Sequence, residues 1–313
     1  MNAPLIALTG STGFIGRHIL SELPKRGYRV RVLLRRPSEV PEGASSAVIG
    51  DIASPHNMAA ALRDVDMVIH SAGLAHAMSG KPEDDYRSIN TEATIKLAQA
   101  AERAGVKRFV FLSSIRAQSG PSAQGVLNEE MEPHPTDAYG RSKLEAEKGL
   151  GELGLDWAAL RPVLVYGPGV KGNMAALLKL AQSPWPLPLG GLKAKRSLLS
   201  LDNLTAALDT LLKAQGSLRR PFIAADPEPM TVPEIIAALR KGFGRGPGLI
   251  PVPPFALGAA AAMMGKAEVY ERLSGSLVAS PAALKGLGWQ AVNETRDGLA
   301  RLARQVSESG AGA

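Results

Sequence analysis

Tyr139 and Lys143, in the segment YGRSK, have the residue types and the spacing of an acid–base pair. Residues four apart share a face of a helix, and the segment falls in a predicted helix over residues 137–153. An ammonium group beside a phenol stabilises the phenolate and lowers its pKa from about 10 toward neutrality. Such a tyrosine can take a proton from a substrate hydroxyl or return it. The same spacing also suits an exposed tyrosine with a solvated lysine.

A turn with three glycines, TGSTGFIGRH, directly follows the apolar segment LIALT. A helix that begins after such a turn offers free amides and a partial positive charge to a phosphate. Glycine at the first two positions lets a ligand approach the backbone, and the third lets the helix pack against the strand. We therefore predict a dinucleotide site, with a purely structural turn as the alternative. The predicted contacts are Gly10, Thr12, Gly13, Phe14, Ile15 and Gly16.

The second predicted strand ends in LLRR, where no acidic residue is present to bind a ribose 2′-hydroxyl. Arg35 or Arg36 could instead neutralise a 2′-phosphate. This favours NADP over NAD as the cofactor. The alternative is a pair of solvated arginines at a strand end.

Predicted strands and helices alternate along the first half of the chain. Nearly unbroken apolar runs in the strands predict an α/β fold with a parallel sheet covered on both faces. The strands are expected at residues 5–9, 28–34, 46–51, 66–73, 108–114 and 156–165, and the helices at 15–26, 55–63, 88–104 and 137–153. Prolines become frequent after Gly167, and residues 196–204 and 219–225 resemble strands that return to the sheet. We expect a dinucleotide-binding domain over residues 1–166 and about 196–225, and a smaller substrate-binding lobe over about 167–195 and 226–313.

The composition limits the classes of function. The chain has 313 residues, 45% of them hydrophobic, and no cysteine, which excludes disulfides, thiolate catalysis and cysteine-based zinc sites. The absence of a signal-like N-terminal pattern and of cysteine favours a cytoplasmic location. The net charge is +7, but the basic residues are dispersed and aromatic residues make up only 4%, so we expect no nucleic-acid partner.

Two further features carry weaker expectations. The apolar segment at residues 254–265 is too short to span a bilayer, and we expect a core or lobe-packing helix there, with a membrane-surface or partner contact as the alternative. The histidines show no metal-ligand spacing, so no metal is predicted. They are His18, His56, His70, His76 and His134.

The glycine turn, FLSSI, YGRSKLEAE and RPVLVYGPG together resemble the extended short-chain dehydrogenase/reductases, in the NAD-dependent epimerase/dehydratase branch. The resemblance covers essentially the whole chain and implies a Rossmann-type doubly wound sheet of seven strands with a small C-terminal substrate-binding lobe. It implies that Ser114 joins Tyr139 and Lys143 as a catalytic residue that orients the substrate oxygen. Ser113 would face away and bond within the sheet. The family also implies a homodimer formed by the helices near Asn90 and Tyr139.

The resemblance assigns further cofactor contacts. Asp51 and Ile52 would lie beside the adenine, although Asp51 could instead cap the next helix. Asn90 would support the backbone of the active site. The turn after the fourth strand and the segment under the nicotinamide would add Ala72, Gly73, Leu74, Pro162 and Val163.

The substrate lobe is similar to that of UDP-hexose 4-epimerases and 4-ketoreductases. In that resemblance Asn173 and Arg196 hold the substrate diphosphate, and a guanidinium suits phosphate oxygens. Arg272 is a candidate second clamp or a helix-surface arginine. Leu164 and Gln118 differ from the usual residues on the sugar side, so the sugar stays open.

The resemblance implies that Tyr139 takes a proton from the sugar 4-hydroxyl while a hydride passes to the nicotinamide. An epimerase would return the hydride to the other face of the sugar, and a reductase would release oxidised cofactor. One alternative is an NADPH-dependent reductase of a non-nucleotide ketone. Another is a non-catalytic dinucleotide-binding regulator.

Overall fold

A parallel sheet of seven strands forms the centre of the protein in a computed structural model, which describes residues 3–75, 82–265 and 267–311. The strands are β1 Leu5–Thr9, β2 Arg29–Leu34, β3 Ala44–Val48, β4 Met67–His70, β5 Arg108–Leu112, β6 Val126–Leu127, β7 Trp157–Pro162, β8 Leu164–Tyr166, β9 Lys195–Arg196, β10 Leu198–Ser200, β11 Arg220–Ala224, β12 Met230–Thr231 and β13 Val278–Ala279. The helices are α1 Phe14–Glu22, α2 Met58–Ala61, α3 Glu83–Tyr86, α4 Ala93–Arg103, α5 Ala138–Gly151, α6 Gly172–Gln182, α7 Leu201–Lys213, α8 Val232–Gly242, α9 Pro254–Met263, α10 Ala267–Ser274, α11 Ala282–Gly286 and α12 Thr295–Ala311. Within these ranges, the side chains of Glu268, Val269, Arg272 and residues 309–311 are outside the description.

The order of the strands in the main sheet is β11-β7-β5-β4-β1-β2-β3, and every pair is parallel. The chain builds outward from β1 through β2 to β3, then crosses to β4 and continues on the other side. The order therefore reverses between β1 and β4. In open parallel sheets, ligands bind in the crevice beyond the carboxyl ends of the strands at this point.

Helices cover both faces of the sheet, as the apolar strands require. Ile6 and Leu8 of β1 join a buried cluster that includes Ile19 of α1 and Leu208 of α7. The alternate residues of the same strand lie in a second cluster with α4 and α5. The predicted α/β fold with a doubly wound sheet is thus confirmed.

A separate apolar cluster forms the core of the C-terminal lobe. It unites Leu177 of α6, Ile236 of α8 and Leu302 of α12. Helix α8 begins with a capping box, in which Thr231 and Glu234 satisfy each other's backbone amides. The division of the chain into a dinucleotide-binding domain and a substrate-binding lobe stays a prediction.

Several predicted elements differ from the structure. The stretch 196–204 is not a strand of the main sheet: β10 pairs only with β8, and α7 begins at Leu201, capped by the Ser200 hydroxyl that accepts from the Asn203 amide at 3.1 Å. The predicted strand 156–165 is two strands, β7 and β8, which pair in different sheets. The third strand begins and ends earlier than predicted, at Ala44–Val48. The predicted helix 88–104 begins as a π-helical turn, Arg87–Glu92, before α4.

The apolar segment 254–265 forms α9, which packs against α10 with Gly258 close to the Tyr270 ring. Ala261 is buried and Leu257 packs against the core of the C-terminal lobe, so α9 is a lobe-packing helix, although much of its surface is exposed. Across the described ranges, no helix combines the length and the apolar character needed to cross a membrane.

Candidate active site

The glycine turn connects β1 to α1 at the edge of the sheet where the strand order reverses. Gly10 has φ of +72°, and a Cβ there would lie 2.6 Å from the Ala72 amide nitrogen. At Gly16, a Cβ would lie 2.0 Å from the Gly10 carbonyl oxygen. These two glycines therefore allow the turn, the segment after β4 and the start of α1 to pack closely.

The backbone at Thr12 and Gly13 is exposed, and no side chain caps α1. A Cβ at Gly13 would meet only the Gly10 carbonyl oxygen, at 3.3 Å. The first amides of α1, from Phe14 and Ile15 onward, thus face an open surface. Such a helix start can hold a pyrophosphate.

A buried chain of hydrogen bonds fixes the segment after β4. The Thr9 hydroxyl oxygen accepts from the amides of Ser71 and Ala72, both at 3.1 Å, and lies 2.7 Å from His70 Nδ1. His70 Nε2 lies 2.9 Å from the Thr94 hydroxyl oxygen, and that hydroxyl donates to the Asn90 carbonyl at 2.7 Å.

These partners assign the directions of the bonds. With both of its lone pairs used, the Thr9 hydroxyl must donate to His70 Nδ1, and His70 must donate from Nε2 to Thr94. Burial lowers the pKa of His70 to about 3, with a smaller contribution from the Lys143 charge, which agrees with the neutral ring that this chain requires. Sequence reasoning considered His70 only as a metal ligand and missed this role.

Asn90 lies in the π-helical turn and joins three parts of the site. Its Oδ1 accepts from the Leu74 amide at 2.8 Å, and its Nδ2 donates to the Leu74 carbonyl at 3.2 Å and to the Ser142 hydroxyl at 3.1 Å. A Cβ at Gly73 would lie 2.7 Å from Asn90 Oδ1 and 3.4 Å from Lys143 Nζ. The turn Ala72–Leu74 therefore lies directly against Lys143, with Asn90 holding it there.

Ser114 and Tyr139 meet at the carboxyl end of β5. Their side chains are hydrogen-bonded. The Ser114 hydroxyl also accepts from the Arg116 amide at 3.1 Å, which fixes the turn after the strand. Gly140 allows α5 to approach this turn, since a Cβ there would lie 2.3 Å from the Arg116 carbonyl oxygen.

The electrostatic environment of Tyr139 differs from the predicted one. Burial raises the pKa of Tyr139, the hydrogen bond with Ser114 opposes this rise, and Asp137 adds to it. The net change is upward, so the lowered pKa expected from Lys143 is not found in this arrangement. Asp137 fixes the start of α5 relative to the turn after β5. Its carboxylate accepts from the Gly140 amide at 2.7 Å and pairs with Arg116.

Lys143 is buried behind the tyrosine. Its ammonium donates to the Leu112 carbonyl at 3.0 Å and lies 4.5 Å from the centre of the Phe111 ring. Burial lowers the pKa of Lys143 to about 8, and the charge of Glu147, one helical turn later, counteracts that decrease. With this pKa, Lys143 is mostly protonated at neutral pH and loses its proton at a slightly higher pH.

A buried ionic network supports α5 from behind. The Arg161 guanidinium binds the Glu147 carboxylate, with Nε 3.0 Å from Oε1, and also donates to the Gln118 side chain. The Ser113 hydroxyl donates to the same carboxylate, so Ser113 bonds to α5 rather than within the sheet. Gln118 also donates to the Met131 carbonyl at 2.7 Å. Both ends of its side chain are therefore engaged, and the position of Gln118 on the sugar side stays a prediction.

The predicted adenine side of the site is exposed. Arg35 pairs with Asp51 at 2.9 Å, so two residues predicted to contact the cofactor contact each other. Asp51 also accepts from the Ala53 amide at 3.0 Å and does not cap the next helix, because α2 begins after Asn57. Within the described part of the chain, Arg36 forms no hydrogen bond or ion pair through its side chain.

The other predicted contacts lie at the carboxyl end of β7 and in the lobe. Pro162 ends β7, and the Val163 amide donates to the Ala224 carbonyl at 3.2 Å. Asn173 is exposed in the first turn of α6. Arg196 is partly buried, and its Nη1 lies 3.4 Å from the Pro121 carbonyl. Ile52 is partly buried and Leu164 is exposed. The structure does not describe the side chain of Arg272 or any part of His76.

Comparisons with known proteins agree with the fold. The family model described as "NAD dependent epimerase/dehydratase family" matches residues 6–222. The chain is 33% identical to a UDP-glucose 4-epimerase of Vibrio cholerae, over 96% of this chain and 94% of that protein. Among solved structures, MoeE5 in complex with UDP-glucose and NAD is 26% identical, with a TM-score of 0.74 over 97% of this chain and 99% of that chain. UDP-glucuronic acid 4-epimerase from Bacillus cereus, in complex with NAD, has a TM-score of 0.77 at 19% identity, covering 99% and 98% of the two chains.

Proposed function

Because the chain belongs to the NAD-dependent epimerase/dehydratase family, we propose that it is an NAD(P)-dependent epimerase of nucleotide-diphosphate sugars. The observation that carries the proposal is the similarity, over nearly the full length of both chains, to a UDP-glucose 4-epimerase. Its catalytic residues in this proposal are Ser114, Tyr139 and Lys143.

The residues around the glycine turn fit a dinucleotide. Gly13 leaves the backbone open, the uncapped start of α1 offers its amides to the pyrophosphate, and the turn Ala72–Leu74 reaches Lys143. When bound, the nicotinamide would accept a hydride from the sugar carbon and return it. Pro162 and Val163 would form the surface beneath it.

Tyr139 and Ser114 share the substrate oxygen in this proposal. Tyr139 takes the proton from the sugar hydroxyl and later returns it, and Ser114 holds the oxygen within hydrogen-bond distance of Tyr139. Lys143 supplies positive charge that favours the phenolate during the transfer. Because burial and the charge of Asp137 raise the pKa of Tyr139, this support is needed.

The substrate diphosphate is assigned to the lobe. Arg196 lies in β9, partly buried, and burial lowers its pKa without removing its charge in the physiological range. Its guanidinium suits a diphosphate oxygen, with Asn173 as a hydrogen-bond donor. Arg272 remains a proposed second clamp.

We also propose that NADP is favoured over NAD. Arg36 is exposed, and no carboxylate within the described ranges competes for it. Arg35 is already held by Asp51. In this proposal Arg36 is the main group for a 2′-phosphate, and Arg35 is a secondary one.

The protein is further proposed to be a homodimer, paired through the helices around Asn90 and Tyr139. Light scattering at micromolar concentration tests this directly. A monomer mass at all concentrations would remove the proposal.

The function is tested by incubating the purified protein with UDP-glucose or UDP-galactose and separating the two sugars by chromatography. We expect conversion that falls about 100-fold or more in Tyr139→Phe, because the acid–base group is lost. Tyr28→Phe is the matched control, since that phenol bonds to Asp209 outside the site. If no UDP-hexose is converted but NADPH reduces a non-nucleotide ketone, the reductase alternative replaces the proposal. If neither reaction occurs with cofactor bound, a regulator replaces it.

A further inference from the structure

Two long stretches of the chain contain no acidic residue. Neither Asp nor Glu occurs from residue 157 to 201, or from 235 to 267. Lysine and arginine continue through both stretches. In a chain with 29 acidic residues, this leaves two stretches in which every charged residue is basic.

The two stretches meet at one end of the C-terminal lobe. We call this end the basic–apolar end and define it as residues 179–195 and 241–264. Leu187 forms a bridge with Leu249, and its amide donates to the Gly248 carbonyl at 2.9 Å. The Gly190 amide donates to the Ile250 carbonyl at 3.0 Å. The two segments thus form one continuous surface, which includes α9.

Exposed cations lie around this surface. The basic–apolar end contains five of them, and none forms an ion pair within the described part of the chain. They are Lys179, Lys193, Lys195, Lys241 and Arg245. Arg240 is different, because it is buried and its guanidinium donates to backbone carbonyls, including that of Trp185 at 2.7 Å.

Large apolar side chains are exposed among these cations. Trp185 is 74% exposed, Phe255 80% and Met263 84%. Phe255, Ala259 and Met263 lie four residues apart and share the outer face of α9, where a surface helix normally carries polar residues. This helix has no charged residue at all. Exposed apolar patches of this kind mark sites of association.

We propose that the basic–apolar end binds the surface of an anionic lipid bilayer. An interfacial segment needs apolar side chains that enter the headgroup region and cations that meet negative lipids, and this surface has both. Tryptophan is enriched at that depth of a membrane. The helix is too short to span the bilayer, so the protein lies on the membrane.

The charges favour a bilayer over other occupants. A second copy joined by a two-fold axis would bring this surface, with its exposed cations, against the same surface of its partner. A nucleic acid would satisfy the cations but leave the apolar face of α9 in water. Anionic lipid satisfies both parts of the surface.

Tryptophan fluorescence and vesicle flotation test the proposal. Trp157 and Trp289 are buried, at 5% and 2% exposure, so Trp185 is the tryptophan whose environment can change on contact. With vesicles of phosphatidylglycerol and phosphatidylcholine we expect co-flotation and a blue shift of the emission, and neither with phosphatidylcholine alone. The shift should disappear in Trp185→Phe, and high salt should weaken binding.

The double variant Phe255→Ser/Met263→Ser should lose flotation at least 10-fold while its thermal stability is unchanged. Val292→Ser is the matched control, because Val292 is 61% exposed but lies outside the basic–apolar end. Absence of binding to acidic vesicles would overturn the proposal. An equal loss of flotation in Val292→Ser would also overturn it. A change of oligomeric mass in the double variant would overturn it as well, because it would assign the outer face of α9 to contact with a second copy.

Discussion

Replacing Gly140 by alanine is expected to separate Tyr139 from Ser114. The added Cβ would lie 2.3 Å from the Arg116 carbonyl oxygen, and this oxygen belongs to the backbone and cannot rotate away. Ordinary contact begins at 3.4 Å, so α5 and the turn after β5 must move apart by about 1 Å. Tyr139 is the residue next to Gly140, and Ser114 lies in that turn.

The effect of Gly140→Ala on the free energy of unfolding follows from two opposing contributions. Overpacking costs about 1–3 kcal/mol, whereas glycine to alanine inside a helix gains about 1 kcal/mol. The net loss of unfolding free energy is therefore at most about 2 kcal/mol, and the variant should fold. A displacement of about 1 Å in a reacting group lowers kcat by about 100-fold.

Gly151→Ala is the matched control on the same helix. The nearest atom to its added Cβ is Trp157 Cζ2 at 3.8 Å, which is ordinary contact. We expect full activity and a gain of about 0.5–1 kcal/mol. Urea unfolding and the epimerase assay measure both variants. If Gly140→Ala is as active and as stable as Gly151→Ala, the close approach of α5 does not position the site.

Three further predictions concern the charged groups. Glu147→Gln should lower the unfolding free energy by about 3–5 kcal/mol, because the buried Arg161 loses its carboxylate, and a loss below about 1 kcal/mol in urea unfolding would contradict this. Burial lowers the folded-state pKa of Lys143 to about 8, below its unfolded value of about 10.4, so the unfolded chain binds the extra proton between these values. The wild type should therefore gain stability relative to Lys143→Met as the pH rises from 8 to 10, and parallel stability curves would refute this. Arg36→Ala should weaken NADP binding about 10-fold in fluorescence titrations and leave NAD binding unchanged, whereas Arg35→Ala should have the smaller effect on NADP. Equal affinities of wild type and Arg36→Ala for NADP would remove Arg36 as the phosphate-binding group.

Local sequence patterns predicted the parts of the protein that depend on local chemistry. The glycine turn lies between β1 and α1 because a buried strand, a turn and a helix follow directly in sequence. The spacing of Tyr139 and Lys143 placed both on α5. The strand predicted over residues 196–204 was wrong because SLLSL shows no clear hydrophobic period. Ser200 followed by Asp202 is a helix-start pattern, and it could have indicated α7.

Other features depend on contacts between distant segments and have no local pattern. The hydrogen-bonded chain from Thr9 through His70 and Thr94 to Asn90 spans β1, β4, α4 and the π-helical turn, and each residue alone suits an ordinary strand or helix. Arg35 directly follows β2, and Asp51 lies in the loop after β3. The two residues pair because β2 and β3 are neighbours in the sheet. A sequence pattern identifies each residue but not the partner that fixes its charge or its direction.

The pKa of Tyr139 shows why spacing alone did not predict the electrostatics of the site. The motif implies that Lys143 lowers this pKa, but burial acts on both groups and favours the neutral form of each. It raises the pKa of the phenol and lowers that of the ammonium. Glu147 opposes the change at Lys143, whereas at Tyr139 the hydrogen bond with Ser114 and the charge of Arg116 oppose the rise in pKa and the charge of Asp137 adds to it. The pKa of Tyr139 therefore depends on its burial and on the positions of Ser114, Arg116 and Asp137, and all of these come from packing that only the folded chain provides.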